Sequence, residues 1–270
     1  MRTGSIPISV IKKPGSHRNG NAYMKFTDSG KTAKIGKENM TMFFWDYTIF
    51  LIIPPLLLAL YAQQKVRSTY RQFSQMTSAS RISGAEVARR ILQASGASHV
   101  EIERAKGQLT DHYDPRKKKL RLSEGVYDSS SLAALGIAAH ETGHALQHHQ
   151  GYAPLHIRNG IYPVASIGSS LAFPLFFVGF IFSRQGPSIL MDLGILLFAG
   201  AVVFSLLTLP VEFNASKRAL ALLKDGGYLR GKELDGAQRV LSAAALTYVA
   251  STAMAAMQLL RMFLLRGSRD

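Results

Sequence analysis

The stretch His140-Glu141-Thr142-Gly143-His144 decides how the rest of this 270-residue chain is read. Two imidazoles four residues apart, with a carboxylate beside the first, form the H-E-x-x-H pattern. On an α-helix that spacing puts both rings on one face, one turn apart, so both reach a single metal ion at about 2 Å. Glu141 flanks the same face. The surroundings favour a helix: Leu132, Leu135, Ile137, Ala138, Ala139, Ala145 and Leu146 are helix formers with an apolar side, and Asp128 to Ser131 offer N-cap oxygens. The pattern predicts a helix from about Ser131 to His149.

The chain has no cysteine, which excludes disulfides, thiolate zinc sites and iron–sulfur clusters. Any metal must be held by His and carboxylate. Hydrophobic residues make up 47% of the sequence and are bunched into long runs, as in a membrane protein with a modest soluble part. The net charge of +15 is not arranged as a basic face interleaved with aromatics. It reads as Lys and Arg flanking a membrane, and nucleic acid is not an expected partner.

Residues 1–39 carry eight Lys and Arg against Asp28 and Glu38, among scattered Gly, Ser and Asn. This basic extension reads as disordered and lacks the apolar core of a signal peptide. Met40 and Met42 stand just before the first apolar run, so translation is expected to start there. Phe43 to Ala62 has spanning length, with Trp45, Tyr47 and Tyr61 as interfacial anchors and Pro54-Pro55 expected to kink it near the middle. Lys65, Arg67 and Arg71 follow at once, which places residues 63 onward in the cytoplasm.

Ser83-Gly84-Ala85-Glu86 is a capping box before a soluble amphipathic helix that Gly96 ends. Two or three short strands with a turn at Asp114-Pro115 are expected between Val100 and Leu122. A strand leading into a metal-binding helix can hold an extended peptide along its free edge. Lys119, Leu120, Arg121, Leu122 and Ser123 are the candidates for that role.

Ile161 to Ser183 and Ile189 to Leu209 form an expected transmembrane hairpin, which returns the chain at Pro210 to the compartment it left. Two downstream carboxylates compete to be the third metal ligand. Asp192 and Glu212 lie about 30 Å apart along a helix axis. Asp192 requires the histidine helix to dip into the bilayer, as in an intramembrane metalloprotease. Too few apolar residues lead into His140 for that, so Glu212 is preferred. Glu212 is expected to open a new helix, and Val240 to Leu260 either spans the membrane or packs across the catalytic helices.

Several segments resemble the YugP-like family of neutral zinc metallopeptidases of bacterial membranes: residues 107–115 (GQLTDHYDP), 138–145 (AAHETGHA), 150–154 (QGYAP) and 210–216 (PVEFNAS). The resemblance runs from Phe43 to the C-terminus and leaves out residues 1–39. More distantly, the chain is similar to membrane gluzincins of the HtpX and CAAX-protease type, whose third ligand comes from an E-x-x-A-D pattern. Glu212 to Ser216 matches it except that Ser216 replaces the acid, which weakens the expected support for a zinc histidine.

The resulting expectation is a mainly α membrane protein, with a zincin-like catalytic unit of H-E-x-x-H helix and small β-sheet, and three or four transmembrane helices. Its divisions are the extension 1–39, a first span 40–62, a catalytic region 63–160, a hairpin 161–209, and a third-ligand and membrane-associated C-terminal part 210–270. One zinc ion would be held by His140, His144 and Glu212, with Glu141 as general base for peptide hydrolysis. Tyr248, His148 and Arg218 are candidate donors to the carbonyl oxygen, while His112, His149 and Asn214 carry no stronger claim. A non-catalytic membrane adaptor is the competing class. The expected setting is the bacterial inner membrane with a cytoplasmic site, and the expected partners are lipid, a protein or peptide substrate, and membrane partner proteins.

Overall fold

The computed structural model describes residues 47–183, 186 and 188–268. The basic extension, the start expected at Met40 or Met42, and Trp45 lie outside the described residues. A 3-10 turn, Tyr47–Leu51, leads into α1 (Ile53–Ser74). Pro54 and Pro55 therefore sit in the first turn of α1 and do not kink its middle. The reason is that proline's missing N–H is harmless where no intrahelical acceptor exists yet. The apolar helix extends past the expected end at Ala62, with Tyr47–Ser74 as its 28 described residues.

The soluble core follows the sequence pattern closely. Ser83 Oγ accepts from Glu86 N at 3.3 Å and starts α2 (Gly84–Ala94), whose Ala85, Val87, Ala88, Ile91 and Leu92 are buried. Gly96, at φ +72°, supplies the left-handed turn that ends it. Strands β1 (Glu101–Ala105), β2 (His112–Asp114) and β3 (Lys119–Ser123) form a sheet of order β1-β3-β2, with β1 parallel and β2 antiparallel to β3. A short turn, α3 (Glu124–Tyr127), leads on to α4 (Leu132–His149). Ser131 Oγ caps α4 by accepting from Ala134 N at 3.2 Å.

Three long helices complete the fold: α5 (Ala153–Phe182), α6 (Ile189–Asp225) and α7 (Lys232–Gly267). With Tyr47–Ser74 they are, among the described residues, the four helices long and apolar enough to cross a membrane. The α5–α6 hairpin closes tightly because Gly194 has no side chain: a Cβ there would meet the Ala172 carbonyl at 2.7 Å. Leu56, Leu60, Ile167, Leu196 and Val203 remain exposed on these helices, as lipid-facing residues would.

Two expectations about this part change. Glu212 opens no new helix, because α6 continues through Pro210 for 37 residues as one rod carrying both the apolar stretch and the third-ligand candidate. The last helix, left open from sequence, is long and apolar enough to span and also packs against α1, α4 and α6. One core joins α4 to its neighbours: Leu135, Ala138 and Leu146 pack with Ile91, Leu120, Leu122, Leu223 and Leu241.

Candidate metal centre

α4 is unusually small on its inner side, with Ala133, Ala134, Ala138, Ala139, Gly143 and Ala145 buried, so α6 approaches it closely. At Gly143, inside the H-E-x-x-H stretch, a Cβ would stand 2.8 Å from the backbone oxygen of Ala215. That contact puts Glu212, one turn earlier on α6, opposite the two histidines. Glu212 Oε2 lies 3.3 Å from His140 Nε2 and 3.5 Å from His144 Nε2. One ligand atom from each of the three lies within 4.8 Å of the others. The side chains of His140 and His144 are 13% and 12% exposed and that of Glu212 only 3%, so the ligand atoms face each other in a largely water-free place.

Glu212 Oε2 is buried and has no hydrogen-bond partner among the described residues. A buried carboxylate oxygen left so is costly, and two imidazole lone pairs facing it add to the cost unless a cation sits between them. The electrostatics point the same way at His144. Burial pushes its pKa down, but Glu212 and Glu141 outweigh burial and raise it above the usual value. The donor set, two nitrogens and one carboxylate oxygen on one side, suits zinc with a position left open.

The surrounding hydrogen bonds fix the tautomer of His144. Gln147 Nε2 donates to the Val211 carbonyl and to Asn214 Oδ1, both at 2.9 Å, which leaves Gln147 Oε1 to face His144 Nδ1 at 3.0 Å. An acceptor there requires a proton on Nδ1, and therefore a bare Nε2 toward Glu212. Ser216 Oγ lies 3.1 Å from His140 Nδ1, so serine fills the place where the related pattern has an acid. Gln147 is completely buried and was not foreseen, although its position three residues past His144 puts it within reach on the same helix.

The candidate donors separate cleanly. Tyr248, from α7, lines the cavity beside Glu141, His144 and Glu212. His148 does not line it and instead pairs through Nδ1 with the Tyr113 hydroxyl at 2.8 Å. Burial and the neighbouring His156 and Lys118 push the His148 pKa down, while burial and Asp114 push the Tyr113 phenol up to about 12. Arg218 is committed elsewhere, donating to Asn214 Oδ1 at 2.7 Å and to Gln150. Arg158 and Asn159 of α5 also line the cavity, with Arg158 Nη2 at 3.9 Å from Glu212, and no local sequence pattern pointed to them. His112 lines it as well.

One expectation fails on topology. Lys119–Ser123 is the central strand, paired on one side by β1 and on the other by β2, so Lys119, Leu120, Arg121, Leu122 and Ser123 offer no free edge to a peptide. Even Ser123 N–H, past the end of β2, is taken by Asp111 Oδ1 at 2.7 Å. Lys119 and Arg121 pair with Glu101 and Glu103 on β1. The strand beside the cavity with an unpaired side is β2, which the short His112–Asp114 stretch hid from a reading by alternation. Asp192 sits twenty residues before Glu212 on the same rod and pairs with Arg266, away from the histidines.

Long apolar helices and a His-His-Glu set that could hold a metal ion define the class: a helical membrane protein with a candidate metal centre. Residues 48–267 match a family described as "Putative neutral zinc metallopeptidase". The chain is 47% identical over 213 residues to "Putative membrane protease YugP" of Bacillus subtilis (strain 168), covering 79% of this chain and 93% of that protein. The chain belongs to this neutral zinc metallopeptidase family. No solved structure matches it.

Proposed function

We propose that the chain is a membrane-embedded zinc metalloendopeptidase of the gluzincin type, which hydrolyses peptide bonds of protein substrates at the membrane surface. The observation carrying this reading is Glu212 Oε2, buried without a hydrogen bond between two imidazole Nε2 atoms. His140, His144 and Glu212 would hold one zinc ion per chain. Bound there, zinc would supply Lewis acidity, lowering the pKa of a water and polarising the scissile carbonyl. Glu141 takes the proton of the attacking water and passes it to the leaving amine. Tyr248 donates its hydroxyl to the carbonyl oxygen as charge develops there. An extended substrate runs along the free side of β2, held by main-chain hydrogen bonds.

The membrane-surface position is supported by α4 itself, an 18-residue helix ending in His148 and His149 with a polar cavity beside its histidines. Lys65, Arg67 and Arg71 favour a cytoplasmic site, and the Bacillus relative favours the bacterial inner membrane.

The test is zinc analysis with a proteolysis assay on detergent-solubilised protein. Wild type and Glu141→Gln are expected to hold one zinc each, with proteolysis only in the former. Glu212→Ala is expected to lose zinc and Asp192→Ala to keep it. The opposite pair of results would transfer the site to Asp192, and proteolysis by Glu141→Gln at the wild-type rate would end the proposed mechanism.

A further inference from the structure

Two cavities meet at the metal centre, and their chemistry differs. Both are lined by Asp111, Glu141 and Tyr248, but His144 belongs to one and His140 to the other. The His144 side, about 170 Å³, carries His112, Arg158 and Asn159. The His140 side, about 190 Å³, is walled by Val66 and Tyr70 of α1, Ile137 of α4, Leu241 and Ala244 of α7, and Leu109 of the β1–β2 loop. No cation lines it. The Asp111 carboxylate that lines it accepts from the backbone N–H and the hydroxyl of Ser123.

Leu109 adds a separate observation. It is 46% exposed and holds φ +54°, a conformation that a bulky side chain rarely adopts. Strain of this kind in a loop beside a metal centre marks a residue held for contact with something other than its own core.

We propose that the His140-side cavity is a specificity pocket that takes one aliphatic or aromatic side chain of the peptide, next to the scissile bond. This inference rests on the peptidase reading and names its substrate class. About 190 Å³ is room for roughly six water-sized groups, which fits an isobutyl or benzyl side chain and is far more than a methyl fills. Burying the difference between isobutyl and methyl against such walls gives on the order of 10- to 50-fold in affinity.

The experiment measures equilibrium binding, without turnover, of dipeptide hydroxamates bearing an isobutyl, methyl or carboxymethyl side chain to the zinc-loaded full chain in detergent. The isobutyl probe is expected to bind about 10- to 50-fold tighter than the methyl probe, with the carboxymethyl probe weakest. Ala244→Phe fills the pocket and is expected to cut the isobutyl-to-methyl ratio to roughly threefold or less. Leu109→Gly, a substitution that the positive φ favours, removes one wall and is expected to lower the same ratio without risk to the core. Equal binding of the isobutyl and methyl probes, no binding to zinc-loaded protein, or a ratio unmoved by both variants would overturn the inference. Discrimination between the probes with no proteolysis of any substrate would overturn the peptidase reading and leave the pocket standing.

Discussion

Gly143 is the residue whose replacement tests how the metal centre is assembled. In Gly143→Ala the new Cβ would lie 2.8 Å from the Ala215 backbone oxygen and 3.4 Å from its carbonyl carbon and Cα. Ordinary contact begins near 3.5 Å, so α4 and α6 must separate by about 0.7 Å at this point. The Ala215 carbonyl cannot turn aside, because it lies within a continuous 37-residue helix and Ala215 is fully buried. Overpacking of this kind costs about 1–3 kcal/mol. Zinc sites tolerate displacements of only about 0.2 Å, and Glu212 is one turn from the forced contact, so zinc affinity should fall by at least about 10- to 100-fold. The assay is zinc competition against a chelator in detergent, alongside thermal unfolding of the zinc-free protein. Adding Ala215→Gly should restore nothing, since the clash is with backbone. Unchanged zinc affinity and an unchanged thermal midpoint in Gly143→Ala would refute the reasoning.

The remaining predictions concern the shell around the site. Gln147→Leu removes the acceptor of the His144 Nδ1 proton and the donor to the Val211 carbonyl. It should destabilise the chain by about 1–3 kcal/mol in denaturant unfolding and weaken zinc by about 10- to 100-fold. Tyr248→Phe should keep its zinc and lose about 10- to 1000-fold in kcat, whereas Arg218→Met should act on zinc affinity through Asn214, as metal titration and peptide turnover will separate. His148 has a folded-state pKa below its usual 6.5, so the unfolded chain binds the proton more readily. Its contribution to stability is therefore complete above about pH 6.5 and is lost as pH falls through the lower folded value. The thermal midpoint should fall less between pH 8 and pH 5 in His148→Gln than in wild type.

Local signals were legible wherever one short segment carried the whole cause. Ser83 and Ser131 cap the helices that their hydroxyls announce, and the H-E-x-x-H helix ends at His149 as its pattern requires. The third-ligand candidate was legible for a different reason: the length of two apolar runs fixes which end of the hairpin comes back. What was hidden depends on pairing across distance. Strand order decides that Lys119–Ser123 is central and that β2 keeps a free side, and alternation within a strand carries no information about its neighbours. Arg158 and Asn159 reach the site from α5 without any motif to mark them. Pro210 misled in the opposite sense. A proline normally ends a helix in water, but an apolar rod packed on both sides retains it.

The continuity of α6 explains why the catalytic candidates and the apolar helices cannot be treated as separate pieces. The first half of α6 is fixed by the hairpin, through Gly194 against Ala172 and Phe176. Its second half is fixed by the core, through buried Ala219 and Leu223. Glu212 lies between these two anchors, and α4 meets the same stretch three times: at the Gly143–Ala215 contact, at the bonds from Gln147 to Val211 and Asn214, and at the Ser216–His140 bond. Residues 63–160 alone would carry both histidines, Glu141 and Gln147, but neither the carboxylate nor Ser216, nor the Val211 carbonyl and Asn214 that orient Gln147. A rod positioned at both ends holds Glu212 more tightly than a flexible loop could. That rigidity suits a buried carboxylate that could hold a metal ion together with His140 and His144.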